Sequence, residues 1–296
     1  MVATVRRLQG SDRDDVIEIS SHIWEGHDYL PSVVDEWLRD SNSRFYGVEV
    51  DGRVVAVGRI RLVEDGRIGW MEGLRVHPEY RGRGFANDLT ETILREGERL
   101  GVERLRYTTS DENAASVKLA KMAGFSRILR MTVSWYHNLK QIPTSTEYPP
   151  IRKFGLERTY GLLETNPHIL PQGMLIYEWK ALDNTSSNVK EVGKNHSFYV
   201  ALKRGRLDSL SISPSGKEPD ESYWGFTAYA VDSSGFLAQF SRNVTLALKR
   251  GLGSIACTFE TRFEKALDGV GLRSEEDHQT HLILLEKRMR RRKRKG

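Results

Sequence analysis

The run from Trp70 to Ala86 constrains the fold of this chain more than any other part of it. Trp70 to Val76 reads as a strand, and Pro78, which has no amide to donate, prevents its simple continuation as a paired central strand. Gly82 and Gly84 then let the backbone turn tightly with its amides pointing inward. A helix opens near Phe85 and runs to Leu100, with Leu89, Ile93, Leu94 and Leu100 on or near one side. Orphan amides and the positive end of the dipole at a helix N-terminus make an anion site, and the anion expected here is a pyrophosphate. Arg81 and Arg83 add positive charge beside it. An ordinary strand-to-helix turn with solvated arginines would show the same residues, so the loop needs the support of its surroundings. It is no Walker A loop, because no Gly-Lys-Ser/Thr follows, and Gly82-Arg83-Gly84-Phe85-Ala86-Asn87 lacks the third glycine of a dinucleotide fingerprint.

The elements around this run alternate between strand and helix. Asp12 to Ser21 starts as a capped helix, and Phe45 to Val50 with Val54 to Ile60 forms a hairpin across Asp51-Gly52. Leu105 to Thr109 reads as a strand and Asn113 to Ala123 as a second helix stopped by Gly124. The second half repeats this order more weakly: a strand from Met174 to Leu182, then a hairpin of Phe198 to Lys203 and Leu207 to Ile212. A strand follows at Tyr223 to Val231, a helix at Phe236 to Arg250, a strand at Ser254 to Glu260, a short helix at Arg262 to Asp268 and a final strand at His281 to Glu286. With 296 residues the chain is long enough for two compact domains, since single cores usually stop near about 100–200 residues. Five of the nine prolines fall between 143 and 171, where missing donors discourage a long regular element. The expected organisation is a first domain over 1–140, a Pro-rich connection over 141–172, a second domain over 173–287 and a basic disordered tail over 288–296.

The loop resembles the Arg/Gln-x-x-Gly-x-Gly/Ala signature of the GNAT acetyltransferases, met by Arg81, Gly84 and Ala86. The strand before it has the similar pattern Glu72-x-Leu74-x-Val76-x-Pro78-x-Tyr80-Arg81-Gly82, and Asn113-Ala114-Ala115-Ser116 through Ala123-Gly124-Phe125 resembles the family's second cofactor helix. The likeness covers residues 4 to 136. It implies an α/β (α+β) GNAT fold: a mixed, mostly antiparallel sheet flanked by helices, followed by a degenerate GNAT-like second domain. It also implies acetyl-CoA as cosubstrate and no metal. The amides of Gly82, Arg83, Gly84, Phe85 and Ala86 would hold the pyrophosphate, with Arg81 close by, and the strand at Leu74 and Val76 would pair with the pantetheine arm. Asn113 and Ser116 would face the cofactor from the other side, although Asn113 would serve equally as a helix cap.

Acyl transfer to an amine needs a neutral amine, a polarised carbonyl and a proton for the departing thiolate, and much of the rate comes from holding the reactants together. The Leu74 amide is the expected oxyanion donor. Glu72, two residues earlier and so expected on the same strand face, is the candidate base, or else the group that binds the substrate's positive charge. Many members of this family carry a tyrosine at the position of Ala120, so the usual acid is missing; either Tyr107, Ser110 or Tyr136 replaces it, or these pack in the core and the thiolate leaves unaided or takes a proton from solvent. On the acceptor side, Trp24-Glu25-Gly26-His27-Asp28-Tyr29-Leu30-Pro31, followed by Trp37-Leu38, lies where this family shapes its acceptor pocket with early helices and a loop, and the Asp28-Tyr29-Leu30-Pro31 run together with the long C-terminal extension is similar to the vertebrate histidine N-acetyltransferase branch. Asp28 or Glu25 would receive an ammonium or imidazolium group between Tyr29 and Trp24. His27 has no second ligand spaced near it.

Charge and cysteine content narrow the remaining classes. The net charge is +5, but Arg288, Arg290, Arg291, Arg292, Lys293, Arg294 and Lys295 supply seven positive charges, so the rest carries −2 and is not a basic nucleic-acid-binding body. The tail is either solvated or a weak tether to RNA, the ribosome or anionic lipid. The single cysteine, Cys257, excludes an internal disulfide and any cysteine-based metal cluster. No signal peptide and no membrane-length apolar run are present, so a cytoplasmic setting is expected. The expected activity is acetylation of a primary amine, the α-amine of a free amino acid such as histidine. The alternatives are a peptide or protein N-terminal acetyltransferase, and a non-catalytic CoA-sensing or RNA-associated protein. Oligomeric state is left open.

Overall fold

A computed structural model of the chain describes residues 2–142, 150–216, 223–269 and 279–289. In chain order its elements are β1 (Ala3–Arg7), α1 (Arg13–Ser21), α2 (Leu30–Arg39), β2 (Ser43–Val50), β3 (Arg53–Val63), β4 (Ile68–Val76), α3 (Phe85–Leu100), β5 (Arg104–Ser110), α4 (Ala114–Met122) and β6 (Ser126–Tyr136). They continue with β7 (Arg152–Phe154), α5 (Leu156–Thr165), β8 (Met174–Tyr177), β9 (Lys180–Asp183), α6 (Ser186–Val192), β10 (His196–Lys203), β11 (Arg206–Pro214), β12 (Trp224–Ala230), α7 (Ser233–Lys249), β13 (Ile255–Glu260), α8 (Glu264–Gly269) and β14 (Gln279–Arg288).

Internal contacts divide the chain into two units that are not contiguous in sequence. The first holds residues 2–107, 115–126 and 285–289, and the second holds 108–114 with the described part of 127–284. These limits differ from the expected ones at 140 and at 173–287. The reason is long-range strand pairing: β6 runs antiparallel to β13, with Met131 opposite Glu260, so it belongs to the second unit. The end of β14 lies beside β5, where Arg106 donates to Glu286 at 2.7 Å, so it belongs to the first.

In the first unit, β1, β2, β3 and β4 follow one another antiparallel, and β5 lies parallel to β4. The β2–β3 turn places Asp51 at φ 50° and Gly52 at φ 81°, the conformation a two-residue hairpin loop requires. Both faces of the sheet are covered. Val16, Ile19, Leu30, Val34 and Trp37 of α1 and α2 pack on Phe45, Val54 and Val57, while Phe85 and Leu89 of α3 pack on Val48, Val50, Val55 and Ala56. Gly101 at φ 74° ends α3, with Val102 donating back to the Gly97 carbonyl. Gly124 at φ 78° ends α4 in the same way, with Phe125 donating to Ala120.

In the second unit the order is β6-β13-β12-β11-β10-β7, parallel only between β12 and β13. Hairpin, strand, helix and parallel strand recur here as β10-β11, β12, α7 and β13, over a core that includes Trp224, Phe226, Phe236, Phe240 and Phe259. Three local expectations change. Met174 to Leu182 is not one strand but the hairpin β8–β9, because Glu178 and Trp179 take φ of 44° and 61°. The proline-rich stretch contains the ten-residue α5, which Pro150, Pro167 and Pro171 bracket without interrupting. Arg288 is the last residue of β14 and not the first of a tail; residues 290–296 of the expected tail lie outside the described ones.

Candidate active site

The site is set by how β4 ends. Among the described residues its parallel ladder with β5 covers Ile68, Gly69 and Trp70, opposite Arg104, Leu105 and Arg106, and ends before Met71. On the other side the register with β3 slips. Arg59 faces Glu72 and Val57 faces Arg75, so two residues, Gly73 and Leu74, stand opposite the single Gly58. This is a β-bulge, and Gly73 makes it with φ 68°. A side chain at Gly73 would also strike the Trp37 ring, 2.5 Å from where its Cβ would lie.

The bulge corrects the expected geometry of Glu72 and Leu74. Strand alternation places them on one face, but the extra residue sends them to opposite faces. Leu74 and Val76 pack with Phe85 and Leu89 on the α3 side, and Glu72 and Arg75 point to the α1 and α2 side. The Leu74 amide lies within the bulge itself, beside the strand stretch that has lost its β5 partner.

After β4, the His77 amide is held by the Val55 carbonyl, and a single turn, Pro78–Tyr80, leads to the glycines. Gly82 has φ 77° and Gly84 φ 90°, and a Cβ at either would meet nothing within 4 Å. Asn87 and Asp88 donate to the Gly84 carbonyl at 2.8 and 3.1 Å. The amides of Gly82, Gly84, Phe85 and Ala86 find no acceptor among the described residues. Four donors and the positive end of a 16-residue helix therefore converge on open space, with the exposed side chains of Arg81 and Arg83 beside it. Arg83 lies over the Tyr80 ring at 4.8 Å and donates to the Glu79 carbonyl at 3.1 Å.

The other face of β4 carries two charge clusters. Arg59, 1% exposed, donates to Glu72 at 3.0 Å and to Asp40, and its guanidinium lies 4.3 Å from the Trp37 ring centroid. Burial pushes this guanidinium below its ordinary value, with Glu72 and Asp40 opposing the shift. Arg75 makes a bidentate pair with Asp28, both contacts at 3.0 Å, and sits near the rings of Trp24 and Tyr29 at 4.6 and 5.5 Å. Ser20 also donates to Asp28, whose side chain is wholly buried. The carboxylate expected to receive a substrate cation is thus occupied in holding Arg75, because the short loop before α2 turns it inward. Glu25 remains exposed, next to Trp24, itself 60% exposed; Trp24, Glu25 and Gly26 take φ of 47°, 56° and 87° in succession. Burial raises the Tyr29 hydroxyl above its ordinary value, with Arg75 opposing.

Tyr107 on β5 packs edge-on against Phe125 and donates to the Ser116 carbonyl of α4 at 3.3 Å. Its desolvated hydroxyl is held above the ordinary tyrosine value, and the Ser116 contact opposes that rise. Ala120, where a tyrosine was missed, is 2% exposed and packs inside. Asn113 immediately precedes α4 and is exposed, and Ser116 is half-buried. The other candidate acids belong to the second unit: Ser110 shares a hydrogen bond with Thr280 at 2.7 Å, and Tyr136 packs on Phe240.

The comparable strand-to-helix junction in the second unit is built differently. The β12–β13 ladder runs for five pairs, from Trp224 opposite Ile255 to Ala228 opposite Phe259, so the strands stay together. Asp232 caps α7 by accepting from the Gly235 amide at 2.9 Å. A carboxylate of the chain itself stands where an anion would bind, and desolvation, with Asp232 adding to it, raises the nearby Asp208 carboxyl.

Sequence reasoning missed Asp40, Arg59 and Arg75. Arg59 had a signal, as the one charge within the apolar run Val54 to Ile60; Asp40 and Arg75 had none.

The Acetyltransferase (GNAT) family model matches residues 13–125. The chain is 37% identical over 78 residues to a histidine N-acetyltransferase of Oreochromis niloticus, a stretch covering 26% of this chain and 23% of that protein. It is 27% identical over 260 residues, 79% of this chain and 68% of its relative, to a human protein named "Probable N-acetyltransferase 16". It is 31% identical over 119 residues to an acetyltransferase of Yersinia pestis, covering 38% of this chain and 80% of that one. Among solved structures, a GCN5-related N-acetyltransferase of Sphaerobacter thermophilus superposes with a TM-score of 0.67 at 15% identity, covering 97% and 96% of the two chains. A tandem GNAT protein from the clavulanic acid biosynthesis pathway does so with 0.63 at 14%, covering 97% and 98%. These two likenesses show the fold.

Proposed function

The chain belongs to the GNAT acetyltransferase family, and from that premise we propose that it transfers the acetyl group of acetyl-CoA to the α-amine of a free amino acid such as histidine. The observation that carries the transferase reading is the parting of β4 from β5 at Trp70, directly before the bulge and the glycine loop. The cosubstrate supplies an activated acetyl thioester. Residues of the first unit fit its parts: the four unpartnered amides from Gly82 to Ala86 suit a pyrophosphate, and the free edge of β4 at Leu74 and Val76 suits the amide-bearing pantetheine arm.

In this reading the Leu74 amide donates to the acyl oxygen. The Glu72 carboxylate takes the amine proton directly or through water, oriented by Arg59, while Asp40 shares the Arg59 charge. Tyr107, whose raised hydroxyl keeps its proton at neutral pH, serves as acid for the departing thiolate. Trp24, Glu25 and Tyr29 form the acceptor wall, and Asp28 fixes Arg75 within it. The splayed first unit alone holds cofactor, because Asp232 takes the equivalent place in the second. The name of the Oreochromis relative supports histidine as acceptor. Incubation with acetyl-CoA and a panel of free amino acids against short peptides, read by thiol release, tests the proposal. Turnover of free histidine or another free amino acid is expected; turnover of peptides alone would redirect the acceptor, and cofactor binding without any turnover would refute the enzyme.

A further inference from the structure

We propose that Glu18, His22 and His77 form a binding site for one divalent transition-metal ion, with Zn2+ as the ion they suit, and that its occupancy loosens the turn leading into the glycine loop. One ring nitrogen of each histidine and one carboxylate oxygen of Glu18 lie within 4.8 Å of one another. Glu18 and His22 are four residues apart on α1, with their atoms at 3.2 Å. An ordinary helical ion pair accounts for those two. It does not account for the second imidazole: His77, at the end of β4, stands edge-on to His22 with ring centroids 4.7 Å apart. Two imidazoles and a carboxylate are a borderline-soft donor set typical of zinc, with a fourth place left for water. Ligand atoms about 2.0–2.1 Å from a tetrahedral ion lie roughly 3.4 Å from each other. Glu18 and His22 are exposed and His77 only half-buried, so small rotations close the gap. Because His22 and His77 are far apart in the sequence, no ligand spacing announces the site there.

The coupling follows from proton bookkeeping on His77. A neutral imidazole has one nitrogen lone pair, and here Nδ1 accepts from the Glu79 amide at 3.3 Å, capping the Pro78–Tyr80 turn. A metal at Nδ1 displaces that donor. A metal at Nε2 sends the ring proton to Nδ1, which then faces the Glu79 N–H as a second donor. Either way metal and cap exclude each other. The turn bears on the loop through Arg83, bonded to the Glu79 carbonyl and lying over Tyr80, and through Tyr80, stacked on Phe85 at 6.5 Å. Thermodynamic linkage then requires zinc and cofactor to weaken each other. This coupling rests on assigning the glycine loop to the cofactor; the zinc site does not.

Calorimetric titration of ZnCl2 into the full chain, in a neutral non-chelating buffer and without an affinity tag, tests the site. One ion per chain is expected, weakened about tenfold or more by His22→Ala and by Glu18→Gln, with circular dichroism confirming that both variants fold. No saturable binding, or unchanged affinity in both variants, overturns the site. Acetyl-CoA titrated with zinc at saturation should bind a few-fold more weakly to the wild type. His22→Ala, run in parallel, corrects for zinc held by the cofactor in solution and should show no such effect. Equal zinc sensitivity of the two proteins overturns the coupling while leaving the zinc site to its own titration.

Discussion

Replacing Gly84 by alanine separates the cofactor role proposed for the loop from its role in folding. Gly84 has φ 90°, and an L-residue in the left-handed region costs about 1–2 kcal/mol. Gly52, in the β2–β3 turn, has φ 81° and equally open space around a Cβ, so Gly52→Ala carries the same strain without touching the loop. Both variants should lose similar stability, each kcal/mol lowering Tm by about 2–4 °C in a domain of this size. Only at Gly84 does the new methyl stand beside the unpartnered amides of Gly84, Phe85 and Ala86. Hydrogen bonds to a charged group contribute about 1.5–3 kcal/mol each. Loss of two is about 3–6 kcal/mol, or roughly 10²–10⁴ in affinity. Calorimetric titration of acetyl-CoA into the two variants at matched fold content reads the difference directly. If Gly84→Ala binds within about threefold of Gly52→Ala, the loop amides do not hold the pyrophosphate and the assignment is refuted.

Glu72→Gln should lower kcat by about 10²–10⁴ at neutral pH and leave acetyl-CoA affinity unchanged; an unaltered kcat would remove Glu72 as base. Titration of acetyl-CoA should saturate at one equivalent per chain, since Asp232 caps the comparable helix of the second unit, and two equivalents would contradict that. Glu286→Ala should destabilise by about 3–5 kcal/mol in urea unfolding, because it removes the nearer carboxylate, at 2.7 Å, from the wholly buried Arg106 guanidinium and leaves Glu64 at 3.6 Å; a loss below 1 kcal/mol would show that the Glu64 contact suffices. The Arg6 hydrogen bonds hold the Asp12 carboxyl below its ordinary value of about 3.9. A depressed carboxyl adds stability that is whole above that value and fades as pH falls through the lower folded one. The stability gap between wild type and Asp12→Asn should therefore be constant near neutrality and shrink below about pH 4, and a gap that persists in acid would exclude the ion pair as its source.

Local patterns carried much of the fold into the sequence. Both ends of α3 coincide with those expected, because glycines at 84 and 101 fix them through backbone conformation alone. The helix α2 was missed for a related reason. Its first turn carries Pro31, which suits a helix start as well as a loop, and Asp-Tyr-Leu-Pro reads equally as pocket lining. Strand alternation could place Glu72 and Leu74 on one face only if β4 were regular, and the inserted residue at Gly73 depends on its packing against Trp37, which no spacing reveals. The pairing of Asp28 with Arg75 was equally hidden, since the two are 47 positions apart.

The placement of residues 285–289 with the first unit bears on how this protein is made. Arg106 becomes wholly buried in that unit, and its nearer carboxylate partner, Glu286, comes 180 positions later. A ribosome that has released the whole glycine loop, α3 and α4 has thus not yet delivered the strand that lies beside β5. The nascent N-terminal half must wait with β5 as an open edge and with its buried arginine still lacking the nearer carboxylate. A gene truncated after α4 would encode that open-edged state.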